Sequence, residues 1–132
     1  MNMKIYILGN ELVEEDSLPL RILGNLRKDF KKIEFIELDS TEGLPEEEEL
    51  IIIDSVINTD KIVIYTEKDI DKFMSSPNYS VHDFDLASSL KIAKKLGRLK
   101  KFKIIGLPSG MNEDIALKEL KGIINDIKNG IC

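Results

Sequence analysis

Three acidic residues, Glu14, Glu15 and Asp16, crowd the space between a short apolar run, "KIYILGN", and a helix-like pattern that begins at Ser17. Asp54 follows three isoleucines in "IIID", and His82, the single histidine, lies in the polar stretch "SSPNYSVHD". Two carboxylates and one imidazole from separate turns make a three-ligand set for a divalent transition metal, with positions left open for substrate or water. Each residue also has a plainer role. An aspartate before a helix can cap it, an aspartate after a strand can form a turn, and a lone histidine in a polar loop is ordinarily a surface residue. The metal reading therefore needs a fold that gathers all three.

His82 carries one more clue. "SVHD" fits a helix start in which Ser80 is the cap and Asp83 closes a box-like arrangement. An imidazole in the first turn faces the positive end of the helix, which disfavours its protonated form. Neutral imidazole is the form that binds a metal. The same dipole favours a carboxylate at Asp16, at the start of the first helix.

The elements that must position these residues can be read from periodicity. Strands are expected at Lys4–Leu8, at Ile33–Leu38 ("IEFIEL", alternating as a half-exposed edge), in "LIIID", at Ile62–Tyr65 and in "KIIGL". Helical spacing of Leu18, Ile22, Leu23, Leu26 and Phe30 predicts one helix over 17–30, with Pro19 tolerated in its first turn. A short helical piece near 68–74 follows, then a helix over 83–96 that stops at Gly97, and a last helix capped by Asn112. Strand and helix alternate, so the expected fold is α/β: a single-domain three-layer sandwich over residues 1–132, with a twisted, mostly parallel sheet of about five strands and helices on both faces. In such sheets ligands bind beyond the carboxyl ends of the strands. That rule selects the loops after Leu8, after Ile53 and from Tyr65 to Asp83, which hold Asp16, Asp54 and His82.

Composition narrows the partners. A net charge of −5 offers no broad basic surface to nucleic acid or anionic lipid. The apolar runs are too short to span a bilayer, and Asn10 and Glu11 interrupt the first one, so no membrane partner and a cytoplasmic location are expected. Cys132 is the only cysteine, which rules out a disulfide within the chain and a thiolate metal cluster. "ILGN" lacks a G-x-G-x-x-G continuation and its acidic neighbours would repel a pyrophosphate. No serine has a G-x-S-x-G setting. "EEEE" at 46–49 reads as a solvated face.

Three segments in register resemble the nickel–iron hydrogenase maturation proteases, the endopeptidases that trim the C-terminal tail of the hydrogenase large subunit. A strand ends in Gly9-Asn10 with Asp16 six positions on; "IIIDSV" is similar to the family's second acidic motif; and "SVHDFDLASSLKIAKKLG" followed by "KIIGLP" resembles its histidine segment. The likeness runs from about Met3 to Ile127. It departs from the family pattern at Ser17-Leu18-Pro19, where a Gly-containing turn is usual, and at "LDST" after the second strand. The resemblance implies that Asp16, Asp54 and His82 sense nickel, with Glu15 out of register. It further implies that the nickel comes with the partner, a hydrogenase large-subunit precursor, and that the activity is hydrolysis of one peptide bond. A non-catalytic α/β binding module, either an inactive paralogue or a small-ligand or nucleotide binder, is the alternative.

Overall fold

The computed structural model describes residues 3–9, 12, 17–38, 43–78 and 83–130, with 83–85 described by backbone alone. The element order is β1 (Lys4–Ile7), α1 (Leu18–Arg21), α2 (Leu23–Asp29), β2 (Glu34–Glu37), β3 (Glu49–Val56), β4 (Val63–Thr66), α3 (Ile70–Met74), α4 (Asp83–Lys95), β5 (Lys101–Pro108) and α5 (Glu113–Lys128). Five strands form one sheet in the order β2-β1-β3-β5-β4. All neighbours are parallel except β4 and β5, which pair antiparallel. This is the expected α/β architecture, with one edge strand reversed.

Alternation along the strands divides the core in two. Ile5, Ile7, Ile53, Ile105 and Leu107 pack against Leu18, Ile22 and Leu26 of the first helical segment and against Ala116, Leu120 and Ile124 of α5. Tyr6, Leu50, Ile52, Phe102 and Ile104 face the other way, against Ile70 and Phe73 of α3 and Leu86 and Leu90 of α4. β3 and β5 lie inside the sheet, and Ile52, Ile53, Ile104 and Ile105 are fully buried. Each such side chain contributes roughly 1.5–3 kcal/mol relative to exposure. Apolar residues on both faces of "LIIID" and "KIIGL" thus follow from their central position.

Two expectations change. The helix over 17–30 is divided into α1 and α2 at Ile22, whose backbone (φ −95°, ψ −4°) stays near the helical region. Hydrogen bonds from Ile22 N–H to Leu18 O and from Leu26 N–H to Ile22 O carry the ladder through the bend. Gly24 and Asn25, both weak helix formers, follow directly. The second change is β4, which the carboxyl-end rule treats as parallel and the structure sets antiparallel to β5. The helix ends agree with the sequence: Asn112 Oδ1 accepts hydrogen bonds from Asp114 N–H and Ile115 N–H, and Gly97 takes φ +75° just past α4.

Candidate active site at the carboxyl end of β3

Asp54 occupies an even position of β3, with Leu50, Ile52 and Val56, and so lies on the face covered by α3 and α4. It is only 5% exposed. Its Oδ1 accepts a 2.8 Å hydrogen bond from the backbone N–H of Ser55. Placing an ionised carboxylate there costs free energy, because the acid gives up hydration that its protein partners must replace. A buried acid at the end of a central strand is therefore a functional candidate rather than a turn former.

Register sets the neighbours of that carboxylate. Ile7 pairs with Ile53, and Leu8 N–H donates to Ile53 O at 2.9 Å, so the start of the first loop runs beside Asp54. On the other side Asp54 pairs with Gly106 of β5. A Cβ at Gly106 would come within 2.7 Å of Val56 Cγ1 and 2.9 Å of Val63 Cγ2. Only glycine fits there, and its missing side chain keeps β4 and β3 close around β5 next to the acid. From β1 the chain turns to β2 through helices on one face; from β3 it continues through α3 and α4 on the other. The β1–β3 junction is thus the switch point of the sheet, where open α/β folds form their ligand crevice.

The third loop reaches this crevice by a route the sequence does not show. Because β4 is antiparallel, its last residue, Thr66, pairs with Lys103 near the start of β5, at the far end of the sheet. The chain returns through α3, and the turn after it is fastened to the loop that leaves β3. Asn78 Nδ2 donates to Ile57 O at 2.7 Å, Asn58 Nδ2 donates to Pro77 O at 2.8 Å, and Tyr65 Oη donates to Asn78 Oδ1 at 3.1 Å. Asn58 itself adopts φ +57°, a left-handed conformation that asparagine tolerates better than most residues. Four residues beyond Asn78 comes His82, and α4 starts at the next position, Asp83.

Asp54 is thus placed at the expected strand end. Asp16 and His82, with Glu14, Glu15 and the Ser80 cap, lie outside the described residues. Among the described residues no three His, Cys, Asp or Glu side chains form a metal-sized group. Ser17, next to Asp16, is the N-cap residue of α1 and is buried; its hydroxyl accepts from Arg21 Nε at 3.1 Å and its carbonyl from the N–H groups of Leu20 and Arg21. Periodicity overlooks Asn58 and Asn78, whose partners stand 19 and 21 positions away. The dipeptide Pro77-Asn78 signals a turn but not what the turn holds.

Residues 37–128 match the family model described as HycI, hydrogenase maturation protease. That span includes Asp54 and His82 and leaves out Asp16. The fold is similar to that of the hydrogenase maturating endopeptidase HybD from E. coli (19% identity, TM-score 0.70, covering 98% of this chain and 94% of that one). It is also similar to an endopeptidase from Escherichia coli solved in solution (17% identity, TM-score 0.71, 98% and 94% covered). A third likeness is to an uncharacterized protein from Wolinella succinogenes (12% identity, TM-score 0.63, 98% of both chains covered). No curated protein sequence is significantly similar to the chain.

Proposed function

Since the chain belongs to the hydrogenase maturation protease family and is a peptidase of that class, we propose that it removes the C-terminal tail of a hydrogenase large-subunit precursor only after nickel has been inserted. Asp16, Asp54 and His82 are the residues that touch the nickel. The observation that carries this reading is the burial of Asp54 at the switch point of the sheet, where a carboxylate is costly to desolvate and a cation from outside would offset that cost.

The nickel belongs to the substrate. It is held in the precursor and presented to the crevice, where two carboxylates and a neutral imidazole complete its coordination. Such a set lacks a thiolate, so its affinity for free metal is modest and the resting protein does not retain nickel. Docking of the loaded precursor brings the scissile peptide beside the ion. Water adds across the C–N bond: nickel withdraws electron density from the carbonyl oxygen or acidifies the water, and a carboxylate takes the proton that later reaches the leaving amine. Neither a serine nor a cysteine nucleophile is required.

The test is incubation with a nickel-loaded large-subunit precursor, followed by intact mass. Loss of the tail is expected from the loaded precursor and not from the same precursor prepared without nickel. Cleavage that ignores nickel would remove the sensing role, and no cleavage of either form would remove the assignment. Among the described residues no helix is long and apolar enough to cross a membrane.

A further inference from the structure

Asn78 is 9% exposed and joins three parts of the chain that are distant in sequence. Its amide nitrogen donates to the carbonyl of Ile57, three residues after Asp54, and its amide oxygen accepts from the hydroxyl of Tyr65 in β4. The orientation of the amide is settled by chemistry, because a backbone carbonyl can only accept and so must face the nitrogen. The neighbouring contact from Asn58 to Pro77 O closes a second, exposed link between the same two segments. Ser76 Oγ accepts from Asn78 N–H at 3.3 Å and donates to Phe73 O at 2.8 Å, which holds the turn to the end of α3. Tyr65 in turn packs against Phe73, the rings tilted by 38° with centroids 4.7 Å apart.

We infer that Asn78 is a positioning residue for the cleavage reaction: it fixes the exit of β3, and so the Asp54 carboxylate, against the segment that leads into α4. The inference rests on the function proposed above. It does not require Asn78 to touch substrate or nickel. A buried asparagine that satisfies a strand-end carbonyl and a tyrosine hydroxyl at once acts as a spacer of fixed length, because each of its bonds would be lost if either segment moved by about an ångström. Asn78 acts through the backbone of Ile57, three residues beyond Asp54, rather than on the carboxylate itself, and misplacement of a reacting group by about 1 Å from such a distance can cost up to about 100-fold in rate.

The experiment measures kcat and KM for removal of the tail from the nickel-loaded precursor, below the melting temperature of each variant as followed by circular dichroism. Asn78→Ala is expected to lower kcat by about 10- to 100-fold with KM within about twofold. Asn78→Asp keeps the acceptor for Tyr65 but points an oxygen at Ile57 O, and its kcat should fall at least as far. Tyr65→Phe removes only the other contact and should stay within about threefold of wild type. A purely structural Asn78 would lower the melting temperature and leave the kcat of the folded protein unchanged. Wild-type kcat in folded Asn78→Ala or Asn78→Asp therefore overturns the inference while leaving the proposed function standing. A wild-type protein that cuts no loaded precursor overturns both. If Asn78→Ala does not fold, Asn58→Gly, which removes the exposed link between the same two segments and leaves the left-handed backbone unstrained, decides: a fall in kcat at unchanged KM supports positioning, and unchanged kcat overturns it.

Discussion

The two ends of β3 treat acidic side chains in opposite ways. Before the strand, Glu47 meets Lys4 Nζ at 3.2 Å and Tyr6 Oη at 2.8 Å, and Glu48 meets Lys100 Nζ at 3.6 Å, all with at least part of the side chain in water. Towards its carboxyl end, Asp54 is 95% withdrawn from solvent and takes a hydrogen bond from the next backbone amide. Partly exposed pairs of the first kind contribute about 0–1 kcal/mol each, and the run "EEEE" is a solvated face held by local partners. Burying an acid of the second kind costs several kcal/mol before any compensation. What separates the two ends is desolvation rather than charge density, and the end with fewer carboxylates is the candidate for chemistry.

The largest expected effects test that contrast directly. Asp54→Asn keeps the shape of the side chain and removes its charge; removal of the tail should fall by at least about a hundredfold. The melting temperature should hold or rise, since a neutral amide is less costly to bury than a carboxylate. His82→Ala should fall as far in activity while remaining folded. Glu47→Gln and Glu48→Gln should cut within about twofold of wild type. Intact mass of the precursor over time reads all four. A Glu47 variant as impaired as the Asp54 variant would break the distinction between the two ends.

Next in size are two glycines that the same comparison sorts. Gly106→Ala forces a methyl group between Val56 and Val63, beside Asp54, and should cost about 1–3 kcal/mol with a parallel loss of cleavage. Gly122→Ala, at an exposed position of α5 with nothing within 4 Å of the new methyl group, should instead stabilise by about 0.5–1 kcal/mol and leave cleavage unchanged. Urea midpoints of the two variants should move in opposite directions. Equal shifts would mean that the packing around Gly106 has more slack than its distances imply.

These sites differ in how far they could be seen beforehand. The central strands, the Asn112 cap and the Gly97 stop are local: each is written in a few adjacent residues and was read from them. The reversal of β4 is not, because "IVIY" reads the same in either direction and its orientation depends on β5, which enters the sheet some forty residues later. The bend at Ile22 falls within a continuous apolar pattern that says nothing of where a helix yields. For the candidate site, the place of Asp54 at the carboxyl end of a buried strand was legible because an acid ending an isoleucine run is conspicuous. Asn58 and Asn78 were not, since their roles depend on partners across the fold. Placing His82 near Asp54 by counting strand ends assumed a parallel β4; the structure instead brings Asn78, four residues ahead of it, to that edge through α3 and the amide links.

The smallest expected effect probes the other end of the comparison. Burial, and then the hydrogen bond to Glu47, push the Tyr6 phenol from 10.0 up to about 12. In the unfolded chain the phenol ionises near 10.0, so the folded state holds its proton more tightly. The stability this provides is fully present below about pH 10, declines as the unfolded chain loses its proton first, and is gone once pH passes about 12. Tyr6→Phe removes the hydrogen bond and should cost about 1 kcal/mol at neutral pH. The gap between the two proteins in urea midpoint should then hold up to about pH 10 and narrow towards pH 11, about the lower half of that window, while other alkaline titrations, common to both, cancel. Cleavage at neutral pH should be the same for both, because the Tyr6–Glu47 contact lies at the end of β3 away from the candidate site. A gap that stayed constant with pH would show that Tyr6 stabilises by packing alone. A loss of cleavage without a loss of stability would show that the two ends of β3 are coupled.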